Sequence, residues 1–150
     1  MLDLGCGSAE CAIPIKQRWP EAHITGIDRN GLVLTSVPSF VTAVQADACA
    51  LPFKPAVFGL IIIRHPDVFR HSIDWKAAIN GSARLLLNTG CLLITCYSLP
   101  EAERINGWLR QAWLPLGHGA QIFLRPEIIA VSDLVNHDRS AFAWQKISTR

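Results

Sequence analysis

Three carboxylates each stand at or near the end of a short apolar run: Asp3 in Met1-Leu2-Asp3-Leu4, Asp28 in His23-Ile24-Thr25-Gly26-Ile27-Asp28, and Asp47 after Phe40-Val41-Thr42-Ala43-Val44-Gln45-Ala46. Gly5-Cys6-Gly7 and then Ser8-Ala9-Glu10, which reads as a helix start, follow the first run. Gly5 and Gly7 let the backbone turn tightly and let a ligand come close where a Cβ would block it. The helix that follows points its unpaired N–H groups and positive dipole end at the same gap. This is how an α/β sheet builds a nucleotide-type site at the carboxyl end of its first strand. Asp28 lies 21 residues past Gly7, the spacing at which an acid meets ribose hydroxyls. A fourth apolar run, Val57 to Ile63, leads into Arg64-His65-Pro66-Asp67. His65 titrates near neutrality and could serve as a general base on a hydroxyl, thiol or carbon acid. The competing reading is a turn fixed by Pro66, with His65 and Asp67 as its lining or caps.

The third glycine of a dinucleotide-binding turn is missing, because Glu10 occupies its position. A negative charge there disfavours a pyrophosphate and suits a positively charged ligand without phosphate. In this respect the chain resembles the class I S-adenosylmethionine-dependent methyltransferases. Asp3-Leu4-Gly5-Cys6-Gly7 matches the first motif of that family, Asp28 the second, and Asp47-Ala48-Cys49-Ala50-Leu51-Pro52-Phe53 the third. The resemblance implies that Asp3, Gly5, Cys6 and Gly7 hold the methionine end of the cofactor. It implies that Asp28, with Arg29 beside it, holds the ribose, and that Asp47 and the Ala48 N–H meet the adenine. Arg64 is a further expected cofactor contact, and His65 and Asp67 are the expected catalytic pair. An acid followed by a small residue offers the acceptor and donor that an adenine edge requires.

The elements that must position these groups follow from pattern. Ala9 to Trp19 reads as a helix with Ser8 as its N-cap, although Pro14 either kinks it or moves its first turn later. The connection from Asp28 to Phe40 leaves room for one or two helical turns, so one flank of the sheet is thinly covered. Val57 to Ile63 suits a central strand buried on both faces. Ser72 to Leu87 reads as an amphipathic helix, Asn88-Thr89-Gly90 as a turn, and Cys91 to Tyr97 as a fifth strand. Tyr97 and Ser98 end that strand as weaker candidates for substrate contact. Pro100 to Trp113 is a further amphipathic helix, with Ile105, Trp108, Leu109 and Trp113 on one side. Ile122 to Leu124, Ile128 to Val131 and Ala141 to Ile147 are strand-like and suit a closing antiparallel hairpin. The expectation is one α/β domain over 1–150, with a mainly parallel, seven-stranded, Rossmann-like sheet.

The chain departs from the family in places. Gly59 stands where the fourth strand usually carries an acid, and the N/D-P-P-Y/F segment of amino-methylating branches is absent after it. The sequence opens at the first strand, where the family usually carries lid helices; three readings follow: a partner chain or a second copy supplies the lid, the domain binds cofactor without doing chemistry, or the chain is truncated and its open site binds weakly. Net charge is +2 and 17% of residues are charged, with no basic run, so nucleic acid is not indicated. The five cysteines form no C-x-x-C pair and no zinc spacing, and suit a reducing cytoplasm. No apolar run is long enough to cross a bilayer. The expected acceptor is a small molecule. Two other readings stay open here: a non-catalytic cofactor-binding or interaction module, and an NAD-linked oxidoreductase, which Glu10, Asp47-Ala48 and the terminal hairpin disfavour.

Overall fold

A computed structural model of the chain describes residues 1–113 and 140–145. Five strands run parallel: β1 (Leu2–Leu4), β2 (Ile24–Asp28), β3 (Val41–Gln45), β4 (Phe58–Arg64) and β5 (Leu86–Cys96). A sixth, β6 (Ser140–Gln145), pairs antiparallel with β5. The order across the sheet is β3-β2-β1-β4-β5-β6. The chain therefore winds outward from β1 through β2 to β3, returns to place β4 on the other side of β1, and winds outward again. The gap between the carboxyl ends of β1 and β4 is the switch point at which open α/β sheets take their ligands. The antiparallel β6 accords with the expected closing hairpin. Its expected partner, Ile122 to Val131, lies outside the described residues, as do residues 146 and 147.

Alternation along the strands sends side chains to two faces. Leu2, Leu4, Ile27, Ile61 and Ile63 join one large core with Ala78 and Ile79 of α3 (Ser72–Ser82) and Ile105 and Leu109 of α4 (Leu99–Trp113). A smaller core on Cys6, Ala9, Ala12, Ile24 and Val41 lies under α1 (Ala12–Arg18). Between β2 and β3 the only helical segment is the single turn α2 (Gly31–Leu34), with Leu32 81% exposed, so the expected thin flank is observed.

Two helix boundaries differ from the sequence expectation. Helix α1 starts at Ala12 with Cys11 as its N-cap, because Ala9 sits at φ +56°, in the left-handed region where no helix can begin. Ser8 donates to Glu10 Oε1 at 3.3 Å rather than capping the helix. Pro14 thereby falls in the first turn, where its missing N–H costs nothing. Helix α3 ends at Ser82, passes through a 3₁₀ turn (Ala83–Leu85), and Leu86 already belongs to β5. Sheet pairing overrides the helical pattern there: Ala56 and Val57 donate to Arg84 O and Leu85 O at 2.9 and 2.8 Å, and Leu86 sits opposite Phe58. The expected turn at Asn88-Thr89-Gly90 is instead a bulge inside β5, since the register jumps from Phe58–Leu86 to Leu60–Cys91.

The bulge brings backbones close at Gly90. A Cβ there would stand 2.9 Å from Leu87 O and 3.0 Å from Phe58 O, both backbone atoms. Gly90→Ala is expected to lower unfolding free energy by about 2 kcal/mol, through overpacking that the sheet cannot relieve. Urea unfolding would show it as an earlier midpoint at unchanged slope; an unshifted midpoint would contradict the close approach.

Candidate functional site

The turn after β1 is built by hydrogen bonds to the end of β2. Gly5 and Cys6 both donate to Ile27 O, at 2.9 and 2.8 Å, and Gly7 donates to Asp28 Oδ2 at 3.0 Å. Gly5 and Gly7 take φ +75° and +54°, so glycine suits both positions conformationally. Asp28 Oδ1 accepts from Asn30 N at 2.9 Å. One carboxylate thus joins the glycine turn to the loop after β2, and each of its oxygens keeps capacity for a further donor such as a hydroxyl. Packing closes the turn from below: a Cβ on Gly26 would stand 2.8 Å from Cys6 Sγ.

Asp3 occupies a different environment. It points away from Leu2 and Leu4, toward α1, and is fully buried. Its Oδ2 accepts from the Cys11 thiol at 3.1 Å. Its Oδ1 has no hydrogen-bond partner among the described residues, and neither does the buried Nε of Arg64. Burial raises the Asp3 carboxyl above its ordinary value; the Cys11 bond and the Arg64 charge oppose this, and Asp28 adds to it. Burial first, and the Asp3 charge second, push the Cys6 and Cys11 thiols up to about 12, so both stay protonated at neutral pH. Cys11 is therefore a thiol donor to an acid, not a thiolate.

A cleft of about 480 Å³ opens at the carboxyl ends of β1, β2 and β4. Of the residues expected from sequence, Gly5, Asp28, Arg29, Asp47 and Ala48 line it. Arg64, His65 and Asp67 line its other wall. Asp3, Cys6 and Gly7 do not line it, and they shape the turn from beneath or behind. The Asp47 loop is internally braced: Asp47 Oδ1 accepts from Cys49 N at 2.8 Å, and Asp47 O from Ala50 N at 3.0 Å. Leu51 is buried, and the Phe53 ring meets Phe58 edge-on with centroids 5.1 Å apart. Arg84 clamps the segment through Leu51 O and Phe53 O, both at 2.8 Å.

The sequence reading missed the contribution of α3. His71, Asp74, Trp75 and Ala78 line the cleft, and the Trp75 ring approaches the glycine turn so closely that a Cβ on Gly5 would stand 3.2 Å from Cη2. In the sequence Trp75 is one apolar residue of the amphipathic pattern over Ser72 to Leu87, and such a pattern carries no sign of a cleft. The segment after β4 is also more specific than expected. Asp67 Oδ1 accepts from Arg70 N at 3.1 Å, and Asp67 O from His71 N at 3.0 Å, so Asp67 caps a turn. His65 sits at φ +48° with its ring parallel to Tyr97, centroids 3.8 Å apart.

Taken together, the polar groups of the cleft fit a ligand with hydroxyl and amine donors. Asp28 and Asp47 supply acceptors. Arg64 Nε and Asp3 Oδ1 are unpartnered buried atoms of opposite sense near the turn. Among the described residues no group of acids, histidines and cysteines is placed to hold a metal ion, and no helix is long and apolar enough to cross a membrane.

Comparison with known proteins agrees with this geometry. A family model described as "Methyltransferase domain" matches residues 2–94. A demethylmenaquinone methyltransferase of Thermus thermophilus is 29% identical over 107 residues, covering 67% of this chain and 48% of that protein. One of Thermotoga maritima is 26% identical over 126 residues, covering 79% of this chain and 54% of that protein. The chain thus spans about half the length of these curated relatives. The crystal structure of a putative S-adenosyl-L-methionine-dependent methyltransferase from Methanococcus maripaludis superposes with a TM-score of 0.74 at 13% identity, covering 99% of this chain and 78% of that one. It shares the fold.

The buried acid sets a pH dependence. A carboxyl whose folded pKa lies above its unfolded value of about 3.9 destabilises the fold once ionised. That cost is absent below the unfolded value and grows as pH rises through the folded one. Asp3→Asn keeps an acceptor for Cys11 and removes the charge. It is expected to unfold later than the native chain at neutral pH, with the difference vanishing in acid. Thermal midpoints across the pH range would check this, and a gain that persists in acid would contradict it.

Proposed function

The chain belongs to the class I, Rossmann-like S-adenosylmethionine-dependent methyltransferases, and from that premise we propose that it transfers a methyl group from S-adenosylmethionine to a small-molecule acceptor. The observation that carries this is Asp28, whose carboxylate ties Gly7 N to Asn30 N while lining the cleft beside Gly5 and Asp47. In this reading Asp28 accepts from the ribose hydroxyls, with Arg29 at its side. Asp47 accepts from the adenine amine, and the Ala48 N–H donates to the ring. The Gly5-Cys6-Gly7 turn and Arg64 take the methionine end. Asp3 acts from beneath, holding the turn and the field around Arg64. When bound, the cofactor supplies an electrophilic methyl on a positively charged sulfur. That suits a cleft with acids on its walls and Glu10 nearby in place of a phosphate-binding glycine.

The acceptor side is the wall formed by His65 and Asp67, next to Arg64. There His65 takes a proton from the acceptor, and Asp67 holds the turn that presents it. Two relatives carry demethylmenaquinone in their names, so the first acceptor to test is demethylmenaquinone reduced to its hydroquinone. The reduced form is the nucleophilic one: the quinone ring is electron-poor, and loss of a hydroxyl proton makes the hydroquinone ring carbon electron-rich. We read residues 1–150 as a single domain. The five cysteines, none of them in a disulfide, suit a reducing cytoplasm.

Calorimetric titration with S-adenosylhomocysteine and S-adenosylmethionine tests the cofactor site. Binding is expected in the native chain. Asp28→Ala should weaken it about a hundredfold, from losing two hydrogen bonds to a charged acceptor at about 1.5 kcal/mol each, with circular dichroism unchanged. Unchanged affinity in a folded variant would remove Asp28 from the site. Binding without methyl transfer to reduced demethylmenaquinone would exclude that acceptor.

A further inference from the structure

His65 is the described residue after β4 whose backbone a non-glycine side chain rarely adopts, with φ +48°. Such a conformation persists only where the surroundings fix it, and it concentrates at functional sites. Here it is fixed from two directions. The His65 N–H donates to Thr95 O at 3.0 Å, extending the β4–β5 ladder by one rung. The imidazole lies on the phenol ring of Tyr97, with centroids 3.8 Å apart and planes inclined by 17°.

Tyr97 is itself anchored. Its N–H donates to Glu101 Oε2 at 2.8 Å, the Ser98 N–H donates to the same oxygen at 3.0 Å, and Glu101 N returns a bond to Ser98 Oγ at 3.4 Å. This is a capping box at the start of α4, so the ring under His65 is held by a helix terminus. His65 lines the cleft, whereas Tyr97 stands outside the lining and is 46% exposed. A tyrosine placed so is not needed to fill the core. A stacked ring restrains the plane of an imidazole without using the hydrogen-bonding capacity of its nitrogens.

We propose that Tyr97 is a positioning residue for His65: the phenol ring fixes the imidazole plane so that a ring nitrogen meets an acidic hydroxyl of the acceptor in the cleft. The proposal rests on the methyl-transfer reading for its chemistry and on the stack for its geometry. The proton of the hydroxyl passes to the imidazole and then to solvent. The electron pair of the O–H bond feeds the nucleophilic atom, which bonds to the methyl carbon as the bond from that carbon to sulfur breaks, the pair leaving on sulfur; where that atom is a ring carbon, it then loses its own proton to solvent and the oxygen regains one, which restores the aromatic hydroquinone. Misplacing the base by a rotation of its ring lowers the rate at saturation and leaves cofactor affinity intact.

Tyr97 is the chain's one tyrosine, so a tyrosine-ring-labelled sample gives one ring signature in NMR. Cross-peaks from it to a histidine imidazole are expected in the native chain and lost in Tyr97→Leu, where the His65 ring signals move or broaden. S-adenosylhomocysteine affinity should stay within about twofold in Tyr97→Leu. With reduced demethylmenaquinone as the probe acceptor, His65→Gln should lower saturated turnover about a hundredfold and Tyr97→Leu about tenfold, with KM little changed. Tyr97→Phe, which keeps the stack, should recover most of the loss, and Tyr97→Leu should cost nothing further on top of His65→Gln. A missing ring contact, a native rate in Tyr97→Leu, or a loss that multiplies with His65→Gln would overturn the proposal. An intact ring contact in a chain that binds S-adenosylhomocysteine and methylates no hydroquinone would instead overturn the acceptor reading on which its chemistry rests.

Discussion

The Asp28 carboxylate is the tie on which the site depends. It accepts from Gly7 N on one loop and Asn30 N on another, so the turn after β1 and the turn after β2 share one anion. Neither loop is regular structure, and each would otherwise leave a backbone N–H to water or to chance. The bonds from Gly5 and Cys6 to Ile27 O set the height of the turn, and Asp28 sets its closure. With the two turns fixed together, the cleft floor is defined before any ligand arrives. This is preorganisation: the cost of ordering the loops is met by folding instead of by binding.

Beneath this tie lies an opposing strain. Asp3 is a fully buried acid with one oxygen unpartnered among the described residues, answered by a cysteine thiol and by the more distant charge of Arg64. Retention of an acid there has the character of a stability cost accepted for electrostatics at the turn. The Arg64 Nε, buried and unpartnered like Asp3 Oδ1, belongs to the same imbalance.

Much of the fold was legible because its signals are local. Apolar runs ending in acids, a glycine turn, and the short Asp28–Phe40 connection placed β1 through β4 to within a residue or two. The strand-end acids Asp28 and Asp47 were legible because a strand terminus, a turn and a carboxylate sit within a few residues of one another. What escaped was set by contacts distant in sequence. Leu86 looked like the last turn of a helix until β4 claimed it as a strand partner. Asp3 looked like a ligand contact, and only the packing of α1 over β1 shows that it lies beneath the cleft. Trp75 reaches Gly5 across about 70 residues of chain, which no periodicity reveals. The Ser98-Leu99-Pro100-Glu101 box was present as a capping signature, and its meaning for His65 appears only once Tyr97 is seen to stack there.

The strand order β3-β2-β1-β4-β5-β6 divides the cleft between two separately wound arms of the chain. Gly5, Asp28 and Asp47 come from the arm that winds outward through β2 and β3. Arg64, His65 and the stacked Tyr97 come from the arm that winds the other way through β4 and β5; the strands of the two arms pair at β1–β4, and Trp75 and Arg84 reach across to Gly5 and to Leu51 and Phe53. A substitution in the second arm reshapes its own wall while leaving the Asp28 tie in place. The fold is thus modular in an evolutionary sense. Each arm can change its own wall of the cleft without rebuilding the strands of the other.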